Sequence, residues 1–545
     1  MTASYASGTS LSPLLGETIG ANFARTVNRV PDAEALVSCH QGLRYRYAEL
    51  DEMIDLVARG LLDAGLTTGD RLGIWSPNRA EWVFVQYATA KIGVILVNLN
   101  PAYRSSELTY ALNQSGCRML VAAESFKTTD YRLVVESIRS DVAGLERVVY
   151  FASPEWDGLL SAGQSAGPDR LADVARTLDY DDPINIQYTS GTTGQPKGAT
   201  LSHHNILNNG YFVAESLGYS EADRVCIPVP FYHCFGMVMG NLGCTSHGAT
   251  MVLPEAGFDA AAVLAAVEAE RCTSLYGVPT MFIAELAHPS FGTHDLSSLR
   301  TGVMAGSPCP VEVMKQVISS MGMREVAICY GMTETSPVST QTSPDDALDK
   351  RVATVGRVHP HVEIKIADPA TGRSVPRGDP GELLTRGYSV MLGYWNDPAR
   401  SAEAIDGARW MHTGDLATMD ADGYVNIVGR IKDMIIRGGE NVYPREVEEF
   451  LYGHPDIEDV QIIGVPDRHY GEEIMAWVRV RDGAALDADA VRAFCRDRVA
   501  HFKVPRYIKF VDEFPLTVTG KVQKFKMREQ AIIELGLEGA STPTA

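Results

Sequence analysis

The sequence predicts an α/β fold, with a large N-terminal region of two α/β layers plus a β-rich subdomain, followed by a small α+β C-terminal domain. Three observations predict it. From Tyr47 to about Ala260, apolar runs of strand length alternate with segments of helical period. From about Val355 to Arg430 the runs shorten, alternate polar with apolar residues and are cut by Gly, Pro and Asp. Beyond Lys432 a fresh helix-and-strand cycle begins. The expected division is therefore 1–431, with the β-rich part at about 355–430, and 432–545. At 545 residues one core would be oversized, since cores stop growing near roughly 250–300 residues.

The elements follow in order. Arg71–Trp75 reads as a buried strand, and the Glu81 to Ile92 stretch as the helix after it. Ile184–Gln187 is another apolar strand. Asp259 can cap a helix running through Glu270, and Thr273 to Gly277 then reads as a short strand ending at a Gly-Val-Pro turn. In the β-rich part, Val362–Ala367, Gly381–Leu384 and Gly423–Val428 are the expected strands. Past Lys432, Pro444 suits a first helical turn and Val460 to Val465 a strand. The Ser/Thr/Gly-rich start and the Ala540–Ala545 tail are expected to fray.

Composition excludes several classes of function. Against 48 Lys and Arg stand 68 Asp and Glu, a net charge of −20 that repels nucleic acid, and no long basic run offsets it. Nine scattered cysteines form no CxxC pair and cannot all close into disulfides, so they read as reduced. Glu17 precedes the first basic residue, Arg25, unlike a secretory signal, and no stretch approaches the roughly 20 apolar residues of a membrane span. A cytoplasmic protein with no integral membrane segment is expected.

The chemistry concentrates in Tyr188-Thr-Ser-Gly-Thr-Thr-Gly-Gln-Pro-Lys-Gly198. Its glycines allow successive N–H groups to converge, while four hydroxyls and Lys197 add donors and positive charge, a combination suited to a polyphosphate. It is not a Walker A loop, because Pro196 stands five residues after Gly191 and no Gly-Lys-Ser/Thr triplet follows. The plain alternative is a flexible surface loop.

This loop resembles the phosphate-binding signature of the adenylate-forming enzymes, which include acyl-CoA synthetases, luciferases and peptide-synthetase adenylation domains. Tyr330-Gly-Met-Thr-Glu334 is similar to that family's adenine and metal segment, Thr413-Gly-Asp415 to its ribose segment, and Gly429-Arg-Ile-Lys-Asp433 to its hinge. Ile436-Arg-Gly-Gly-Glu-Asn441 and Pro515-Leu-Thr-Val-Thr-Gly-Lys521 complete the ordered set. The resemblance extends from about residue 30 to 530 and implies ATP, Mg²⁺ and coenzyme A as small-molecule partners.

By that resemblance Thr189, Ser190, Gly191, Thr192, Thr193, Gly194 and Lys197 would hold the β- and γ-phosphates. Tyr330, Gly331, Met332 and Thr333 would surround the adenine and α-phosphate, with Thr333 also catalytic, and Glu334 would bind Mg²⁺. Asp415 would accept from the ribose hydroxyls, with Arg430 donating to the sugar or its phosphate and Lys432 at the hinge among the nucleotide contacts. Lys521 would be the principal catalytic residue, its ammonium stabilising charge where carboxylate and α-phosphate meet. The C-terminal domain would be mobile, its rotation replacing Lys521 by Gly438 and Gly439, which would admit coenzyme A; a plain hairpin turn is the alternative for those two glycines.

Phe231-Tyr-His-Cys-Phe-Gly236 resembles the segment guarding the carboxylate channel, which makes His233 a gate candidate and assigns it to the catalytic set. A packed structural histidine is the equal alternative. Met237, Met304, Ala305 and Gly306 would line an apolar acyl pocket with His233, although such Met stripes also serve as core. The whole implies ATP-dependent activation of a fatty acid, most like the medium-chain branch, to acyl-AMP and then acyl-CoA. The alternatives are an aryl or branched acid, a free-standing carrier protein as acceptor, or a nucleotide-binding regulator that lost catalysis.

Overall fold

The apolar runs of the N-terminal region pair into two mainly parallel sheets. The computed structural model describes residues 2–189, 196–307, 309–438, 440–496, 498–516 and 522–537. In the first sheet seven strands run in the order Gly393–Tyr394, Lys197–Ser202, Pro183–Thr189, Ile95–Leu99, Arg71–Trp75, Met119–Ala122 and Arg147–Tyr150. Pro183–Thr189 and the strands beyond it are parallel, and the two before it are antiparallel. In the second sheet nine strands run Arg357–Val358, Val338–Gln341, Glu325–Gly331, Thr301–Ala305, Ser274–Gly277, Arg224–Cys226, Thr250–Leu253, Glu34–Ser38 and Leu43–Arg46. Its middle is parallel and its edges antiparallel.

Burial explains the unbroken apolar runs. A parallel strand is covered on both faces, so Ile95–Leu99 is buried at every residue. Helix Ala80–Ile92 behaves likewise, with every residue buried except Glu81 and Lys91, and it stops at Gly93, which takes the left-handed conformation at φ 68°. Helix Ala260–Glu270 starts where the Asp259 side chain accepts from the Ala262 N–H. These covered parallel sheets are the two expected layers of the α/β fold.

A third sheet orders Tyr5–Ser7, Val362–Ala367, Gly381–Gly387, Met411–Met419 and Val425–Arg430. The chain start does not fray. Ser4 is buried, its N–H donating to Val375 O at 2.8 Å and its Oγ to Pro376 O at 2.9 Å, so backbone pairing overrides the polar composition. The expected strand at Gly423 begins at Val425, because Gly423 holds a turn at φ 88°. The Ala540–Ala545 tail lies outside the described residues.

The chain divides into two compact units, one of Ala6–Ile364 and Thr385–His412, the other of Met1–Tyr5, Lys365–Leu384 and Thr413–Ala545. In the second, Glu440–Val442, Ile435–Arg437, Gly471–Val480 and Ile457–Asp467 form a sheet, with Tyr507–Phe510 beside Gly471–Val480. Helices Pro444–Tyr452 and Ala488–Cys495 contribute Val447, Leu451, Val491 and Cys495 to the core under it. All nine cysteines are free, and all but Cys39 are buried. Among the described residues no helix is long and apolar enough to cross a membrane.

Candidate active site

Two parallel strands end side chains at one place. Pro183–Thr189 delivers Thr189 at its carboxyl end, and the chain returns antiparallel with Lys197 opposite Thr189. Ser190, Gly191, Thr192, Thr193 and Gly194, between them, lie outside the described residues. Glu325–Gly331 ends at the half-buried Tyr330 and at Gly331, where an added Cβ would lie 1.8 Å from the Pro337 carbonyl oxygen. Only glycine fits that approach. The chain then turns through the half-buried Met332 into a single 3₁₀ turn, Thr333–Thr335, that buries Thr333 and Glu334.

Glu334 is 5% exposed, so its carboxylate needs partners. Its Oε1 accepts from the Tyr394 hydroxyl at 2.8 Å and from Thr189 Oγ1 at 3.3 Å. Lys197 Nζ donates to the same Tyr394 oxygen at 3.4 Å and sits 4.6 Å from the ring centroid. Burial first, and then the Glu334 charge, push the Tyr394 phenol above its ordinary pKa, so the hydroxyl keeps its proton at neutral pH. The result is a carboxylate and an ammonium bridged by a neutral phenol at the carboxyl ends of parallel strands, where α/β folds place ligands.

The donor set suits a hard divalent cation, because Glu334 and Thr189 present oxygen atoms. Among the described residues no group of three or more His, Cys, Asp or Glu side chains could hold a metal ion alone. A cation here would take its other ligands from phosphate oxygens and water.

The remaining predicted residues occupy separate places. In the second unit, Asp415 and Arg430 face each other across paired strands, and Arg430 Nε donates to Asp415 Oδ1 at 3.0 Å. Asp415 is 10% exposed and Arg430 60%, so the carboxylate is fixed while the guanidinium reaches solvent. Lys432 is exposed in the 3₁₀ turn Ile431–Asp433. Gly438 turns the Ile435–Arg437 and Glu440–Val442 hairpin at φ 61°, its N–H donating to Tyr470 O at 2.8 Å. Gly439 and Lys521 lie outside the described residues.

The five acyl-pocket candidates do not share one wall. His233 is half-buried, its Nδ1 accepting from the Phe235 N–H at 3.2 Å. Met237 lies within the buried π-helical stretch Phe235–Leu242, and its Sδ accepts from Asn98 Nδ2 and Gln187 Nε2, each at 3.1 Å. Met304 and Ala305 are neighbours on one strand, so their side chains leave opposite faces of the sheet, and Ala305 packs in the cluster that holds Met237. Gly306, left-handed at φ 92°, is exposed.

Tyr394, Asn98 and Gln187 were missed by sequence reasoning. Tyr394 is 60 residues from Glu334 and 197 from Lys197, a separation no motif spans. The one local signal was polarity: Asn98 interrupts an otherwise apolar strand, and Gln187 follows Asn185 as a polar residue in a buried one.

Residues 23–395 match the model of the AMP-binding enzymes, and residues 446–521 match that of the AMP-binding enzyme C-terminal domain. The chain belongs to the AMP-binding enzyme family. This AMP-binding enzyme is 47% identical over 541 residues to the putative acyl-CoA synthetase YngI of Bacillus subtilis (strain 168), covering 96% of this chain and 98% of the relative. It is 46% identical over 557 residues to the mitochondrial medium-chain acyl-CoA ligase ACSF2 of Danio rerio, covering 98% and 92%. Among solved structures, the anthranilate CoA ligase AuaEII in complex with anthranoyl-AMP superposes with a TM-score of 0.85 at 28% identity, covering 96% and 99%. ATP-bound MatB from Rhodopseudomonas palustris gives 0.83 at 31%, covering 94% and 98%. The AMP-binding enzyme thus shares its α/β architecture, large unit and smaller C-terminal part with these ligases.

Proposed function

We propose that this AMP-binding enzyme joins a fatty acid, medium-chain by preference, to AMP with release of pyrophosphate, and then transfers the acyl group to coenzyme A. A carboxylate resists nucleophilic attack because it is an anion, and the mixed anhydride with AMP replaces that charge by a good leaving group. The barrier lies in bringing a second anion to the α-phosphate, so positioning and positive charge do most of the work. One observation carries the reading: a buried carboxylate and an ammonium held at the ends of parallel strands by one phenol.

In this reading Lys197 and Thr189 hold the outer phosphates, with the segment 190–194 completing the cradle. Thr333 donates near the α-phosphate. Glu334 and Thr189 offer oxygen ligands to Mg²⁺, which would neutralise charge developing on the departing pyrophosphate. Asp415 accepts from the ribose hydroxyls, and Arg430, bonded to Asp415 and exposed to solvent, donates to the sugar or its phosphate. Lys521 meets the reacting carboxylate, and Gly438 with Gly439 admits the pantetheine arm. The relatives named for medium-chain acids support the chain length.

The test is pyrophosphate release by purified protein given ATP, Mg²⁺ and acids of increasing length, with and without coenzyme A. Release that rises with chain length, falls beyond a medium length and yields thioester only with coenzyme A is expected. Activity confined to aryl acids, or dependent on a carrier protein, would replace the substrate assignment. No release with any acid would refute the reading.

A further inference from the structure

Lys197 and Glu334 carry opposite charges at the same site, and among the described residues no ion pair joins them. Tyr394 stands between. Its hydroxyl donates to Glu334 Oε1 at 2.8 Å and accepts from Lys197 Nζ at 3.4 Å, while the ring faces the ammonium at 4.6 Å. The backbone around it is locked to the strand that carries Lys197. Leu392 N–H donates to Thr200 O at 2.9 Å, Trp395 N–H to Gly198 O at 2.7 Å, and Tyr394 N–H to Ser401 Oγ at 2.8 Å. Glu334 is held from the same segment, its carbonyl oxygen accepting from Met391 N–H at 2.9 Å. The phenol therefore has a fixed place relative to both charges.

We propose that Tyr394 is a positioning residue that keeps Lys197 and Glu334 from pairing, so that both stay available for a metal-bound polyphosphate. The inference rests on the proposed reading of the site. An ammonium and a carboxylate in a half-buried cleft attract each other, and a contact pair would have to break before each could serve its ligand. Every molecule caught in that closed pair is lost to binding, so apparent affinity falls by the fraction that remains open. The phenol prevents this by giving each charge a neutral partner, one through its proton and one through its ring and oxygen.

Tyr394→Phe keeps the ring and removes the bridge. Binding of Mn²⁺–ATP, followed by the electron paramagnetic resonance of the manganese, should weaken about tenfold if the closed pair is then populated about nine times in ten. Binding of ATP without metal should change less, and KM for ATP should rise while KM for the acid stays put. In a Lys197→Met background the same Tyr394→Phe change should cost no further Mn²⁺–ATP affinity, because no cation remains to close on Glu334. Wild-type Mn²⁺–ATP affinity in Tyr394→Phe, or an equal loss with and without Lys197, would overturn the inference while leaving the site reading intact. Glu334→Gln separates the two: unchanged Mn²⁺–ATP binding there would overturn the metal reading and this inference with it. Should Tyr394→Phe fail to fold, Tyr394→Leu in the same two backgrounds gives the same non-additive comparison.

Discussion

Single residues carry the sharpest constraints. Glu285 is fully buried on helix Pro279–Ala287, and neither of its carboxylate oxygens has a hydrogen-bond partner among the described residues. Burial raises its pKa well above the ordinary 4.5. The folded chain thus holds this proton more tightly than the unfolded one. Below about pH 4.5 the group is neutral in both states and costs nothing extra; as pH climbs from there toward the folded-state pKa, stability falls by about 1.4 kcal/mol per pH unit. Glu285→Gln should therefore stabilise the protein, with a larger gain in thermal midpoint at pH 8 than at pH 5, and a gain independent of pH would contradict the assignment. Lys197 and Glu334 were legible in the sequence because their chemistry is tied to short motifs. Glu285 was not, since nothing local distinguishes a buried glutamate from a solvated one.

At the scale of elements, the π-helical stretch Phe235–Leu242 is pinned by side chains from elsewhere. Gln86 Nε2 donates to Met237 O at 3.1 Å, Tyr276 OH to Met239 O at 3.2 Å and Tyr87 OH to Asn241 O at 3.1 Å. Asn98 also donates to Tyr232 O at 3.0 Å and accepts from Asn185 Nδ2 at 3.0 Å. These bonds anchor the backbone on both sides of His233 to helix Ala80–Ile92 and to strands Ser274–Gly277 and Ile95–Leu99, the last of which pairs with Pro183–Thr189. Asn98→Leu leaves Tyr232 O and Asn185 Nδ2 without that partner, at a cost of about 1–3 kcal/mol in chemical denaturation. It should also raise KM for the acid more than KM for ATP; equal shifts would show that the anchor serves stability alone. Apolar periodicity located the strands and helices in order, because buried parallel strands and their covering helices must be apolar almost throughout. It could not distinguish a pocket wall from core, which is why Met304 and Ala305 read as one surface though strand alternation separates them.

At the scale of the whole molecule, the two proposed half-reactions would need two geometries, and the hinge expected at Lys432 falls in the 3₁₀ turn Ile431–Asp433. Lys432→Pro would fix φ near −65° at that turn. The expected outcome is retained acid-dependent pyrophosphate exchange with at least about tenfold slower thioester formation; equal loss of both would remove the hinge from Lys432. By itself the sequence determined the α/β class, the family, the order of the segments and the acidic surface charge, because each depends on residue type and spacing along the chain. Only the tertiary structure decided that Tyr394 stands between Lys197 and Glu334, that Asn98 and Gln187 grip Met237, and that the chain start is a strand. Those contacts join residues far apart in the chain, and a pattern read along one dimension holds no record of which distant side chains the packing of two sheets brings within hydrogen-bonding distance.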